Sequence, residues 1–379
     1  MLKATPKKAV SSSEQPDYAS RLNRLRALFD ANAVDSVVVS SRENVRYLLG
    51  FAGSSGWVFI THDDAVLMTD SRYIEHARAT IPVGHVQLST DGLPDTAADL
   101  ITDSRCKACG FEADNLTHSM AGKLQDKVKG RKARCALLPV DRMVDRLRMT
   151  KDNTELGLIK QAAQLADGAL EHVRSVLHPG MTELHAAWEV EKWLREHGSE
   201  PIPFNIIAAS GPNSALPHAE PGKRTLEAGD PIVFDLGARL GGYCSDLSRT
   251  VFVGEPDAAL RRIYDIVLTA QRAALTGVRS GMTAVQTDAL ARDIISSAGY
   301  GEYFGHGLGH GVGLAIHESP TVSPRSIETL EETMVFTIEP GIYVPGVGGV
   351  RIEDTVVLRD GAAIALTCTD KDNPTIPLP

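Results

Sequence analysis

Apolar positions near the start of the chain fall at helical spacing. Leu22, Leu25, Leu28 and Phe29 share one face within Tyr18 to Asn32, which predicts a helix. The β-branched run Asp35-Ser-Val-Val-Val-Ser then predicts a strand. A short helix over Asn44 to Phe51 follows. Two strands come next, Trp57 to Thr61 and Ala65 to Thr69, joined by His-Asp-Asp. Arg72 to Thr80 reads as helix, Val86 to Ser89 and Cys109 to Glu112 as strands, Thr117 to Val128 as helix, and Ala136 to Leu138 as a last strand closed by Pro139. Strands interleaved with helices predict a mostly parallel or mixed sheet covered by helices, an α/β domain.

From Asp141 to Thr150 the chain is charged and helical, as a connector would be. A long amphipathic helix begins near Asn153, with Glu155 in its first turn, where a negative charge suits the dipole, and stops near Pro179-Gly180. Thr182 caps the next helix, whose expected buried stripe is Leu184, Ala187, Val190 and Trp193. Strands are expected over Phe204 to Ala209, Pro231 to Leu240 and Tyr243 to Val253. Helices follow over Asp257 to Ser280 and Ala284 to Ala298. A glycine-dense loop, Gly301 to Gly313, leads to strands Met334 to Val344 and Val350 to Leu358. Helix pairs interleaved with antiparallel strands fit an α+β domain. The expected division is a disordered leader over 1–16, an N-terminal domain over 17–140, a linking helix over 141–152 and a second domain over 153–379.

The length of 379 residues suits two cores. A net charge of −9 argues against nucleic acid as a partner, because phosphate binding needs clustered Lys and Arg. No run reaches the roughly eighteen apolar residues of a membrane span. The polar N-terminus lacks the apolar centre of a secretory signal, so a cytoplasmic location is expected. The cysteines number five, an odd count. Cys106 and Cys109 make a lone Cys-x-x-Cys without a second pair at zinc spacing, so free buried thiols are the simpler reading.

Against this ordinary background, four carboxylates stand inside apolar or β-rich runs: Asp235 in Val-Phe-Asp-Leu-Gly, Asp246 in Cys-Ser-Asp-Leu-Ser, Glu339 in Thr-Ile-Glu-Pro-Gly and Glu353 in Arg-Ile-Glu-Asp. A buried carboxylate needs a partner or a cation, and few basic residues lie near them. Asp235 and Asp246 flank Gly241-Gly242, a turn signal that sets their strands side by side. Around His306 and His310, glycines at 305, 307, 309, 311 and 313 remove side chains and let the backbone approach a ligand. The loop is no nucleotide motif, since no Lys-Ser/Thr pair follows it. His306, His310 and His317 are candidate ligands or proton donors. Pro340 interrupts the strand that carries Glu339, which implies an edge or a bulge. By the period of two, Arg351 and Glu353 share a face, and Val350 and Ile352 face the core.

The order of these motifs resembles the pita-bread metallopeptidases. Ser210-Gly-Pro-Asn-Ser-Ala-Leu-Pro-His218 and His317-Glu-Ser-Pro320 resemble their proline-peptidase branch, aminopeptidase P and prolidase. The resemblance covers essentially the whole chain. It implies a pita-bread catalytic domain behind a creatinase-type N-terminal domain, and two divalent ions, Mn²⁺ first, with Co²⁺ or Zn²⁺ as alternatives. By resemblance Asp235 holds one ion, Asp246 and Glu353 bridge both, and His310 with Glu339 completes the other site. His218 and His317 bind substrate, Arg351 supports the bridging acids, and His306 lines the pocket near the proline ring. The implied reaction is attack of a metal-bridging hydroxide on an Xaa-Pro bond. Aminopeptidase is placed ahead of dipeptidase, and a non-peptide hydrolase on the same fold is a third reading. Peptides with proline second are the implied substrates, and a homodimer the implied assembly.

Overall fold

The structure is a computed structural model and describes residues 16–378. The leader expected over 1–16 therefore lies, Pro16 apart, outside the described residues. The chain divides into two units, Met1–Arg148 and Met149–Pro379.

The first unit runs α1 (Tyr18–Arg26), β1 (Ser36–Val39), α2 (Arg42–Leu49), β2 (Gly56–Thr61), β3 (Ala65–Thr69), α3 (Ile74–Thr80), β4 (His85–Leu88), α4 (Leu93–Ser104), β5 (Ala108–Glu112), α5 (His118–Gly130), β6 (Ala136–Val140) and α6 (Met143–Met149). The six strands form one mixed sheet in the order β4-β3-β2-β1-β5-β6. β1, pairing antiparallel with β2 and parallel with β5, is buried at all four residues, as its Ser-Val-Val-Val run requires. Helices α4 and α5 close one face through Ala97, Ala98, Ile101, Leu124 and Val128, packed with Val38, Phe59 and Met68.

Two expectations fail here. The first helix stops at Arg26, and Asp30–Asn32 is a separate 3-10 turn closed by Ala33 at φ +53. Leu22, Leu25 and Phe29 are buried across that break, so apolar spacing did not register it. The sequence reading also passed over α4. Gly92 and Pro94 look like loop, yet proline in a first turn forfeits no helical hydrogen bond.

The second unit is built from two similar layers. In the first layer, α7 (Asn153–Val176) and α8 (Glu183–Glu196) precede β7 (Ile207–Ser210), β8 (Pro231–Leu236), the short β9 (Arg239–Leu240) and β10 (Tyr243–Cys244), and β11 (Leu247–Val253). In the second, α9 (Ala258–Gly277) and α10 (Ala284–Ser297) precede β12 (Gly309–Gly311), β13 (Glu318–Val322), β14 (Val335–Ile338), β15 (Gly341–Val344), β16 (Gly348–Arg351), β17 (Asp354–Arg359) and β18 (Ala362–Ala365), after which β19 (Thr375–Ile376) returns to the first layer, parallel to β11. The larger sheets run β19-β11-β8-β7 and β13-β12-β14-β17-β18; β9 with β10 and β15 with β16 form hairpins. The first helix pair packs on Phe234, Leu236 and Val251. The second packs on Phe336, Ile338, Val350, Ile352 and Val356.

A capping box of Asp152 and Glu155 opens α7, and the Thr182 hydroxyl accepts from the His185 N–H to open α8. The stripe expected on α8 needs correction. Ala186, Val190 and Leu194 are its buried residues, together with Glu183, while Leu184 is half exposed at 50%. The carboxylate of Glu183 is buried because Ser210, Asn213 and Gly222 donate to it. Among the described residues no helix is long and apolar enough to cross a membrane.

Candidate metal centre

Asp235 is the next-to-last residue of β8 and pairs with Ser248 of β11. Beyond it, Gly241 and Gly242 take φ +56 and +85, the geometry of a two-residue hairpin turn that side chains resist. The hairpin returns the chain to Asp246, in the gap before β11. The Asp246 N–H donates to Thr355 Oγ1 (3.3 Å), and the Thr355 hydroxyl donates to the Asp246 carbonyl (2.7 Å).

The other three expected ligands come from the second layer. Helix α10 holds the glycine loop. Asp288 accepts from the Leu308 N–H (2.9 Å), and Arg292, paired with Asp288, donates to the carbonyls of Phe304 (3.0 Å) and His306 (2.6 Å). The loop then enters β12. A Cβ on Gly309 would strike the Thr337 carbonyl, and one on Gly311 the Ser319 carbonyl. These glycines therefore admit neighbouring backbone, where the sequence suggested a ligand. The Thr337 hydroxyl accepts from the His310 N–H (3.0 Å) and donates to Glu339 Oε1 (3.0 Å). Glu339 stands between β14 and β15, which belong to different sheets. Glu353 stands likewise between β16 and β17, its N–H donating to the Ser248 carbonyl (3.0 Å).

His310 Nδ1 lies 3.0 Å from the Gly311 carbonyl. A carbonyl accepts, so the ring proton sits on Nδ1 and the Nε2 lone pair faces the acids. Nε2 is 3.5 Å from Asp246 Oδ2 and 3.4 Å from Glu339 Oε1. Donor atoms of Asp246, His310 and Glu353 lie within 4.8 Å of one another, with Asp235 and Glu339 beside them in the same cleft. Burial first, then the charges of Glu353, Asp235 and Glu339, pushes the Asp246 carboxyl well above its ordinary range. Burial followed by Glu339 and Asp235 does the same to Glu353, and burial raises Glu339. Burial lowers His310. Acids that resist ionising together, around an imidazole kept neutral, are relieved by cations.

Arg351 lies at the edge of this group. Its guanidinium donates to Asp235 Oδ2 (2.7 Å), Ser248 Oγ (2.8 Å), the Tyr343 hydroxyl (3.0 Å) and the Pro217 carbonyl (3.1 Å). It bonds Asp235 directly, and its charge also favours the ionised forms of Asp246 and Glu353, the two acids expected to bridge. Asp235 Oδ1 is buried and has no hydrogen-bond partner. An orphaned carboxylate oxygen beside clustered oxygen donors and one imidazole fits divalent cations.

All nine residues singled out in the sequence line one cleft of about 870 Å³. His317 keeps an exposed edge there, its ring 4.3 Å from that of His310; the partial loss of solvent in the cleft and then His310 lower its basicity, with Asp235 opposing. His218 is exposed at the cleft wall. His306 is held by the Gly307 carbonyl at Nδ1 (2.8 Å) and by the Tyr343 hydroxyl at Nε2 (3.1 Å). Sequence reasoning missed Tyr343, Thr337, Ser248 and Thr355. Thr337 was findable, since it opens the Thr-Ile-Glu-Pro-Gly run that carries Glu339. Ser248 likewise closes the Cys-Ser-Asp-Leu-Ser run of Asp246, whereas Tyr343 and Thr355 belong to no motif.

The donor set and its cleft define a class: a metal-dependent enzyme whose centre uses oxygen ligands and one imidazole. The chain belongs to metallopeptidase family M24, which matches residues 157–360, and carries a creatinase/prolidase N-terminal domain over 21–150. Its second unit is the pita-bread fold of that family. A solved Xaa-Pro dipeptidase from Bacillus anthracis is 38% identical, with a TM-score of 0.91 over 95% of this chain and 100% of that one. The Xaa-Pro dipeptidase of Pyrococcus furiosus is 37% identical over 93% of this chain and 99% of its own. A solved X-Pro aminopeptidase from Thermotoga maritima is 34% identical, with a TM-score of 0.83 over 92% and 99%.

Proposed function

We propose that this enzyme hydrolyses the bond between a first residue and a following proline, using two divalent ions held by Asp235, Asp246, His310, Glu339 and Glu353. The observation that carries the reading is the convergence of Asp246, His310 and Glu353 donor atoms on the cleft, with the orphaned oxygen of Asp235 beside them. When bound, the ions lower the pKa of water and polarise the scissile carbonyl. Asp246 and Glu353, whose like-charge conflict is worst, would hold both ions; Asp235 would serve one of them, and His310 with Glu339 the other. Manganese ranks first on the oxygen-rich donor set.

The remaining steps fall to side chains. Glu339 takes the proton of the attacking water and passes it to the proline nitrogen. His218 and His317 hydrogen-bond the carbonyl oxygen as it gains charge. Phe204, Ile206 and Pro217 line the same cleft as His306, and apolar lining suits a compact apolar ring. Proline, with its fixed φ and missing N–H, has such a shape and leaves no amide donor to satisfy.

The relatives named Xaa-Pro dipeptidase support dipeptides as the main substrate, which reverses the order expected from sequence. The likeness to the Thermotoga aminopeptidase keeps longer peptides as a second reading. The working division is 17–140, 141–152 and 153–379; the family matches over 21–150 and 157–360 support two domains meeting near residue 150. Cytoplasmic residence and a homodimer complete the reading, the dimer by resemblance; light scattering tests it. The deciding experiment is a substrate series of Gly-Pro, Arg-Pro-Pro and a longer Xaa-Pro peptide on Mn²⁺-loaded enzyme. Cleavage of Gly-Pro alone gives a dipeptidase. Failure on all three, with metal shown to be bound, overturns the proposal.

A further inference from the structure

The Cys-x-x-Cys of the sequence is not the thiol pair of the fold. Cys109 lies within β5, fully buried, its Sγ turned to the Gly110 carbonyl, and burial pushes its thiol up to about 12. Cys106 instead faces Cys135. The two residues lead into neighbouring parallel strands, where Ala108 pairs with Ala136 and the Ala136 N–H donates to the Lys107 carbonyl (2.8 Å). That register sets Cys106 Sγ and Cys135 Sγ 3.4 Å apart, against about 2.05 Å in a formed bond. Both residues are partly exposed, so a small reagent reaches them.

We propose that Cys106 and Cys135 are a reversible dithiol site that reacts with small disulfides and closes to an intramolecular bridge. The proposal goes beyond the peptidase reading and does not rest on it. The hydrogen bond between the two thiols brings Cys106 down to about 6, with burial and then Asp35 opposing. The hydroxyls of Ser104 and then Ser36 add to the lowering at Cys106. Cys135, by the same bond, holds its proton more tightly. In the proposed exchange Cys106 leads and Cys135 resolves, the order favoured by the opposite directions of the two shifts. The Cys106 thiolate attacks a disulfide RSSR, forming a mixed disulfide and expelling one RS⁻. Cys135 loses its proton and attacks the Cys106 sulfur, expelling the second RS⁻. The two protons released by the cysteines leave the products as two RSH. The protein dithiol is oxidised by two electrons and RSSR is reduced by two.

The test treats the full native chain with oxidised glutathione, blocks residual thiols by alkylation and maps the peptides. The expected result is a Cys106–Cys135 cross-link with a mass loss of about 2 Da, two of the five thiols gone, and full recovery on reduction. In Cys135→Ser the glutathione adduct should stop on Cys106, forming several-fold faster than on the exposed Cys368. Modification confined to Cys368, or a bridge from Cys106 to Cys109, overturns the proposal. Should the variant fail to fold, the wild-type map alone decides.

Discussion

Arg351→Lys isolates what the guanidinium does for the centre. Arg351 is 3% exposed and spreads four hydrogen bonds over Asp235, Ser248, Tyr343 and Pro217. Lysine keeps the charge but is a point donor, and it cannot hold the planar array. Asp235 then loses the 2.7 Å contact that fixes Oδ2 and so presents Oδ1. Loss of an outer hydrogen-bond partner of a ligand weakens metal binding by about 10–100-fold, or roughly 1.4–2.7 kcal/mol. Competition against a chelating dye on apo-enzyme at fixed pH measures that change, and urea unfolding of the same metal-free sample reports stability separately. Ser248→Ala is the control, removing one hydrogen bond from the charged guanidinium, worth about 1.5–3 kcal/mol, and leaving the Asp235 contact. A folded Arg351→Lys protein whose metal affinity stays within about twofold of the parent, well short of that range, would refute the reasoning, because Asp235 would then need no anchor.

Asp246→Ala and Glu353→Ala should each abolish peptidase activity and cut bound metal on elemental analysis; Glu353→Ala with most of the parent rate would remove it from the bridge. His317→Ala should lower turnover while metal content stays near normal, and a parallel loss of metal would make it a ligand. Asp354→Ala should cost about 3–5 kcal/mol in urea unfolding, because Arg249 and Lys371 are left buried without their anion. Burial opposes the Asp354 charge, but Arg249 and Lys371 outweigh it and hold the carboxyl below its ordinary value. Its stabilisation is thus present above the unfolded value near 4 and lost as pH falls through the lower folded value, so the variant should show a shallower loss of stability in acid. A variant as acid-sensitive as the parent would contradict that pairing.

The ligand set was legible because burying an acid is costly. Asp235, Asp246, Glu339 and Glu353 each broke an apolar run, and no other chemistry explained four such breaks. The hairpin at Gly241-Gly242 was legible because positive φ leaves few residue choices. What stayed hidden was long-range. Arg249 bonds to Asp354 across 105 positions, and Cys106 meets Cys135 across 29. Local periodicity carries no trace of either. Helix α4 was missed for the opposite reason, since its Gly-Leu-Pro opening imitates a loop. Leu184 and Trp193 looked buried because spacing reports a face and not how far that face is covered.

The acids also occupy backbone positions that suit their task. Expected strands Tyr243 to Val253, Met334 to Val344 and Val350 to Leu358 each break in the structure. The breaks fall at Asp246, Glu339 and Glu353, where the chain leaves one sheet and enters another. Inside a strand, a side chain points to a face already filled by the core. At a change of sheet the backbone turns, and the side chain is released from that alternation toward the space between the layers. Each break frees main-chain groups, and these are recaptured nearby: the Asp246 N–H by Thr355, the Glu353 N–H by the Ser248 carbonyl and the Glu339 N–H by the Leu308 carbonyl. The three acids are thus held on rigid backbone while their carboxylates meet in the cleft. Replacing Thr355 by Val keeps shape but removes the acceptor for Asp246. It should loosen that ligand at little cost to the core, and metal affinity should fall further than unfolding stability.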